Sequence, residues 1–252
     1  MKQQVRVISR LDVKGPRLIK GVHLEGLRPV GEPNDFAKRY YMSSSDELLY
    51  IDVVASLYGR SNMSEIVAQT TDSCFIPVTA GGGVRSVEDV RILLNSGADK
   101  VAINTAAVSR PDLLDEIANE FGSQCLVLSI EAKQTKDGTW RVFTESGREP
   151  SKLDAVAWAV EACNRGVGEV LITSIDREGT GKGFDIELTQ SIVDAVTVPV
   201  IASGGFGKLD HIDNVLRTGV DAIAIADGFH FNKFTISDVK KRVSEAGYPV
   251  RM

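Results

Sequence analysis

Eight short runs rich in β-branched residues recur at near-regular intervals along the chain. They are VRVISRLD (5–12), LLYIDVV (48–54), FIPVTA (75–80), KVAINT (100–105), CLVLSIE (125–131), EVLITSI (169–175), VPVIAS (198–203) and DAIAIA (221–226). Between most of them lie segments such as SVEDVRILLNSG (86–97) and RPDLLDEIANEFG (110–122), where apolar residues return every third or fourth position, the helical period. Apolar runs of this length separated by helices indicate parallel strands buried on both faces. Eight strand–helix units in 252 residues predict an α/β fold, a closed (β/α)8 TIM barrel. An open doubly wound sheet is the rival, and the lack of fingerprint glycines after the first run disfavours it.

A second, longer period supports closure. GADKVAINTA (97–106) resembles GVDAIAIADG (219–228), and VTAGGGVRSVEDV (78–90) resembles VIASGGFGKLDHI (200–212), in both cases 122 residues on. YIDVVAS (50–56) is likewise similar to TSIDREG (173–179), and RLDVK (10–14) to IEAKQ (130–134). Such self-similarity predicts a pseudo-twofold repeat of half-barrels, about 1–122 and 123–252. No Pro/Gly/Ser linker or composition shift interrupts the middle, so residues 1–252 read as one domain.

Charge narrows the function. Lys plus Arg (29) against Asp plus Glu (34) leave a net charge of −5. That argues against sequence-independent binding to nucleic acid or an anionic membrane. With no apolar run near the roughly 18 residues of a membrane span and no secretory signal in MKQQVRVISR, a cytoplasmic location is expected. Three widely spaced cysteines (Cys74, Cys125, Cys163) make neither a disulfide framework nor a zinc site, and no metal or cofactor is expected.

In a closed parallel barrel the chemistry lies at the C-terminal strand ends. Asp12, Asp52, Glu131 and Asp176 fall there, with Glu178 in the following loop. Asp12 and Glu131 occupy equivalent positions in the two halves, so the pseudo-twofold sets them across the mouth from each other. Two carboxylates on a shared cavity can divide the roles of proton donor and acceptor. Taken singly, each acid could equally cap a helix or bond a loop amide. Gly81-Gly82-Gly83 and Gly204-Gly205 end the third and seventh strands, and Asn104-Thr105 and Asp227-Gly228 the fourth and eighth. Glycine lets backbone approach an anion closely, and a following helix presents free N–H groups. A lone Gly-Gly turn is more often structural, but the duplicated pattern suggests two phosphate cradles and a substrate with phosphate at each end. Lys20 lies in a long polar stretch, 13–33, able to close over a ligand; it is either a mobile phosphate or carbanion partner or a solvated lysine. Asp137-Gly138 reads as a hairpin turn after the fifth strand. His23, His211 and His230 form no triad or metal spacing.

The motifs LDVK (11–14), IKGVHLEGLR (19–28), GEPNDFAKRYY (31–41), GGGVRSVEDV (81–90), GADKVAINTAAV (97–108), FGSQ (121–124), TSIDREGTGKGFD (173–185) and IASGG (201–205) together resemble the cyclase subunit of imidazole glycerol phosphate synthase. The likeness spans essentially the whole chain. It implies a lyase of histidine biosynthesis that uses ammonia from a separate glutaminase subunit. The reaction converts a bis-phosphorylated aminoimidazole carboxamide nucleotide to imidazole glycerol phosphate and an aminoimidazole ribotide. It further implies Asp12 and Glu131 as acid/base pair and Lys20 as mobile loop lysine. Gly83, Asn104 and Thr105 fall at one phosphate site and Gly204, Gly205, Ala226 and Asp227 at the other, with Asp52, Thr173 and Glu178 in the substrate cavity. Arg6, Glu47, Lys100 and Glu169 match an ammonia gate on the opposite face, where the glutaminase docks, with Asp99 and Gln124 at docking positions.

Four residues depart from the resemblance. Glu131 and Glu178 replace aspartates, Asp227 replaces a serine where a carboxylate would repel phosphate, and Arg10 replaces a small cysteine. Arg10 lies two residues before Asp12, on the same inward face, and a buried guanidinium needs a carboxylate. Glu131 or Glu178 is the expected partner, which would lower that acid's pKa. These substitutions leave open a barrel of the same kind that channels ammonia to the amidination of a surface sugar, or one that only docks and activates the glutaminase. An isomerase of the same superfamily is a lesser alternative.

Overall fold

The computed structural model describes residues 4–55 and 63–252. Its strands are β1 (Arg6–Lys14), β2 (Arg17–Val22), β3 (Glu25–Gly31), β4 (Glu47–Asp52), β5 (Val78–Gly81), β6 (Lys100–Ile103), β7 (Leu126–Gln134), β8 (Trp140–Thr144), β9 (Glu149–Asp154), β10 (Glu169–Ser174), β11 (Val200–Ser203) and β12 (Ala222–Ile225). The eight runs read from the sequence are β1, β4, β5, β6, β7, β10, β11 and β12. They pair in parallel in that order, and β12 returns to β1 with Arg6 opposite Ala222, closing a (β/α)8 barrel.

Closure explains why the strands read as continuous apolar runs. On β1, Val7, Leu11 and Val13 pack outward against the helices, while Ile8 points into the barrel. Ile8, Leu49, Ala102, Val127, Leu171, Ile201, Ala222 and Ala224 form an inner cluster distinct from the strand–helix core. Alternate residues therefore feed two separate apolar layers. The 122-residue repeat is visible in the hydrogen bonding. Asp99 and Asp221, just before β6 and β12, each accept the amide of the preceding barrel strand's first residue, Val78 and Val200, at 2.8 Å. Asp99, expected at a docking position, thus ties two strand starts together.

Two hairpins decorate the mouth. The stretch 13–33 is no irregular loop: β2 and β3 pair antiparallel, and β2 continues from β1 with Val13 opposite Leu18. After β7 the chain turns at Asp137-Gly138, with the Thr135 amide donating to the Thr139 carbonyl at 2.8 Å, and returns as β8. β9 then pairs with β8, a strand the sequence pattern did not reveal. Among the described residues no helix is long and apolar enough to cross a membrane, and no group of three or more His, Cys, Asp or Glu could hold a metal.

Candidate active site

At the strand-start face, four side chains close a ring of alternating charge. Arg6 donates to Glu47 at 2.6 Å and to Glu169 at 2.5 Å, and Lys100 lies 3.3 Å from Glu47 and 2.8 Å from Glu169. Each sits at the first position of its strand with its side chain turned to the axis, and closure of the barrel brings the four together. Burial works against the Arg6 charge, and the two glutamates more than offset it, holding the guanidinium above its ordinary pKa. Above the ring lies the inner apolar cluster, and above that the polar mouth.

The mouth begins with Arg10, which is 2% exposed. Its Nε donates to Asp12 at 2.9 Å, and its Nη1 reaches toward the far strands, donating to Thr173 at 2.8 Å and Ser203 at 3.0 Å. The sequence led us to expect Glu131 or Glu178 as its partner. Asp12 takes that place because residues two apart on one strand share a face and lie within reach. Asp12 therefore sits buried against Arg10 and is not among the residues lining the cavity that Glu131 faces, although its charge still reaches Glu131. Glu178 is engaged elsewhere, in a buried ion pair with Lys20. Lys20 is consequently neither solvated nor loose. Burial opposes its charge, Glu178 and then Asp12 favour it, and its pKa is raised. The β2–β3 hairpin is further fastened by His23, whose amide donates to the Glu178 carbonyl at 2.9 Å and whose Nδ1–H donates to that of Ile175 at 2.7 Å.

Glu131 behaves opposite to the expectation of a lowered pKa. Burial pushes its carboxyl up to about 7; Arg10 opposes this and the charge of Asp12 adds to it. Asn104 Nδ2 donates to Glu131 at 3.2 Å and to the Phe143 carbonyl at 3.0 Å, which fixes the amide between β7 and β8. A carboxyl poised near neutrality on a cavity wall is a proton donor or acceptor with little driving force wasted.

The cavity itself has a volume of about 320 Å³. Its walls include Asp52, Gly83, Asn104, Thr105, Ser129 and Glu131. It lies on the first-half side of the mouth, and Arg85 and Arg110 also line it. Asp52 faces it while its Oδ1 accepts the amides of Val54 and Ala55 at 3.0 Å, so the loop-amide role considered for strand-end acids applies here. The same modest role holds for Asp176, which accepts the Gln134 amide at 2.8 Å. The amides just before the next helix are engaged: Asp89 accepts those of Arg85 and Ser86 at 2.8 and 3.0 Å, within the capping box of helix Val87–Asn95.

The second-half side differs. Gly204, Gly205, Ala226 and Asp227 border a space of only about 20 Å³, shared with Arg10 and Glu178. Asp227 does not stand bare, since Lys233 pairs with it at 2.5 Å. Gly205, with φ +99°, is packed so closely that a Cβ would fall 2.1 Å from the Gly183 carbonyl. Thr173 is buried beneath, as an acceptor for Arg10.

With this geometry in place, comparison with known proteins is decisive. The pattern that defines the family described as "Histidine biosynthesis protein" matches residues 6–235. The chain belongs to that family. A relative from Legionella pneumophila, "Imidazole glycerol phosphate synthase subunit HisF", is 60% identical over 209 residues, covering 83% of this chain and 99% of the relative.

Within this histidine biosynthesis barrel, several wall residues escaped the sequence reading. Glu145 and Ser146 come from the turn between β8 and β9 and roof the large cavity. The Glu145 amide donates to Thr105 at 3.1 Å and the Ser146 hydroxyl to the Val53 carbonyl at 2.7 Å. Glu145, Ser146 and Gly147 all have positive φ (51°, 56°, 79°), a conformation non-glycine residues hold only when their surroundings impose it. The Ser-Gly pair in TESGRE (144–149) was a usable signal of a tight turn. Ser129 and Ser203 gave none, because a serine inside an apolar run looks like ordinary strand sequence.

Proposed function

We propose that this barrel is the ammonia-using cyclase subunit of an imidazole glycerol phosphate synthase, acting as one domain with a separate, cytoplasmic glutaminase. The observation that carries the reading is the alignment of two features on one axis: a closed four-charge ring at the floor and a carboxyl with a pKa of about 7 at the mouth. Ammonia released at the floor would pass the ring and rise along the apolar lumen. Arg10 crosses the second-half side of that lumen, so the route runs by β6, where Lys100 belongs to the ring and the small Ala102 both to the inner cluster and to the cavity wall. At the mouth, Glu131 is the group that donates or accepts the proton as ammonia adds and the leaving group departs; Asn104 orients it. Phosphate binding falls to Gly83 and Thr105. The glutaminase would dock at the strand-start face, where Met42 and Phe75, 74% and 77% exposed, precede β4 and β5. Tyr41 meets Phe75 edge-on there. Exposed large apolar side chains beside a charged opening suit a protein partner.

The test is direct. Purified chain, given the bis-phosphorylated aminoimidazole carboxamide nucleotide and excess ammonium salt at mildly alkaline pH, should release imidazole glycerol phosphate. No turnover, with a glutaminase still activated on mixing, would remove the cyclase assignment and retain the docking one.

A second reading has a specific observation behind it. Arg10, Glu178 and Lys20 fill the second-half side of the mouth. The same gate and the same Glu131 could then deliver ammonia to another acceptor, as in amidination of a surface sugar.

A further inference from the structure

We propose that Arg10 is a positioning residue that fixes the direction of proton traffic at the mouth: clamped against Asp12, it keeps that carboxylate the acceptor and leaves Glu131 the donor. The inference rests on the cyclase reading of the mouth, and it separates two roles that a pair of acids alone leaves open.

The clamp is built from three strands. Arg10 Nε donates to Asp12 Oδ1 at 2.9 Å, which leaves Oδ2 of the same carboxylate to take a proton. From across the barrel the guanidinium is held by Thr173 on β10 and Ser203 on β11, which accept from Nη1 at 2.8 and 3.0 Å. Held on these sides, Arg10 does not turn to β7, where Glu131 stands. The count of buried charges makes the same division. Burial opposes the Arg10 cation, and Asp12, then Glu178, then Glu131 support it. All three carboxyls are buried, as are Arg10 and Lys20, and Lys20 is paired with Glu178. Two cations thus serve three carboxyls. Among the described residues the carboxyl outside an ion pair is Glu131, whose side-chain partner is the neutral amide of Asn104 at 3.2 Å. A buried carboxyl beside a neutral donor keeps its proton more readily than one joined to a cation.

The other surroundings of Glu131 preserve this imbalance. Burial acts on it most; from β1, Arg10 favours its charge and Asp12 opposes it, and from the β8–β9 turn the Gly147 amide and the exposed Arg148 favour it weakly. Asp52, Glu145, Arg85 and Arg110 share its cavity wall. Lys20 and the neutral His230 lie on the side of Glu178. As the nitrogen of ammonia bonds to carbon, the proton it sheds passes to Asp12, while the leaving group takes its proton from Glu131. One proton gained and one lost balance, and transfer from Asp12 to Glu131 restores both acids.

Two variants separate charge from shape. Arg10→Gln keeps a donor and loses the cation, and Arg10→Lys keeps the cation. Turnover of the bis-phosphorylated aminoimidazole carboxamide nucleotide is followed against pH at constant free ammonia. Without the cation both acids hold their protons to higher pH, so the optimum of Arg10→Gln should lie about one pH unit or more above that of the wild type, and Arg10→Lys should restore it. A slower Arg10→Gln with an unmoved optimum shows a merely structural residue and overturns the proposal. Carbon-13 NMR of the carboxyl carbons, assigned through Glu131→Gln and Asp12→Asn, gives an answer that needs no turnover. In the wild type Glu131 should titrate near neutrality while Asp12 is already ionised; a protonated Asp12, or a Glu131 ionised well below neutrality, overturns the proposal. Wild-type protein that titrates as expected yet converts no nucleotide removes the cyclase reading and leaves the division of charge intact. Should Arg10→Gln not fold, the wild-type titration still decides.

Discussion

Replacing Glu131 by Gln should make the protein less sensitive to alkali. Glu131 is 6% exposed, and its pKa rises from 4.5 to about 7 in the folded barrel. Between those values the native state holds a proton that the unfolded chain releases, so stability falls as pH rises through the window. The destabilisation is absent below the unfolded value and complete above the folded one. At 1.36 kcal/mol per unit it reaches about 3 kcal/mol, of which about 2 kcal/mol develops between pH 5 and pH 8. Glutamine keeps the shape and cannot ionise. Urea unfolding of wild type and Glu131→Gln at those two pH values should therefore show the variant gaining about 2 kcal/mol on the wild type at the higher pH. Parallel behaviour of the two proteins, or a relative loss by the variant, would mean that Arg10 and the loop amides satisfy the charged carboxylate. Glu131 would then not be a proton donor near neutrality. The same variant should lose about 10²- to 10⁴-fold in turnover. Glu131→Asp, which shifts the carboxylate by about one bond length, should lose about a hundredfold; a gain in cyclase turnover would show that the site has drifted from that chemistry.

Other perturbations follow from the ion pairs. Arg10→Met strands Asp12 in the lumen and should cost about 3–5 kcal/mol, whereas Arg10→Met with Asp12→Asn should recover most of it; equal losses in chemical denaturation would show the pair to be uncoupled. Arg6→Ala opens the charge ring, so glutamine-driven turnover in the complex should change while turnover from added ammonium does not; equal effects on both would remove the gate from the argument. His230, buried with Nδ1 2.5 Å from the Tyr40 hydroxyl, has its pKa pulled down to about 3 by burial and then by Lys20 and Arg39. It stays neutral in the fold and charges on unfolding, so its contribution to stability is lost as pH falls below about 6.5. Its imidazole carbon signals should not titrate between about pH 5 and pH 8 in NMR; a midpoint inside that range would contradict its placement.

The architecture was legible because barrel strands obey a local rule. Each is a short run with both faces apolar, and that pattern survives in the one-dimensional string. The floor ring was legible only through the family resemblance, which singled out Arg6, Glu47, Lys100 and Glu169 from among the charged residues that stand at strand starts. β9 was not, because EPSKLD alternates half-buried and exposed residues with a proline among them and packs mainly on β8. The roof formed by Glu145 and Ser146 was hidden too, since a turn's position over a cavity depends on where two strands aim it.

What the sequence determined by itself is the barrel and its duplicated halves, both consequences of period and spacing. Only the folded structure decided how the buried charges pair. Arg10 had three carboxylates within the possible reach of a long side chain, and the choice of Asp12 was settled by strand register and by Lys20 claiming Glu178 from another element. That choice left Glu131 buried with a raised pKa and made two halves of similar sequence unequal in space. Pairing among buried ions depends on ångström distances between segments far apart in the chain, and pattern along the chain carries no record of those distances.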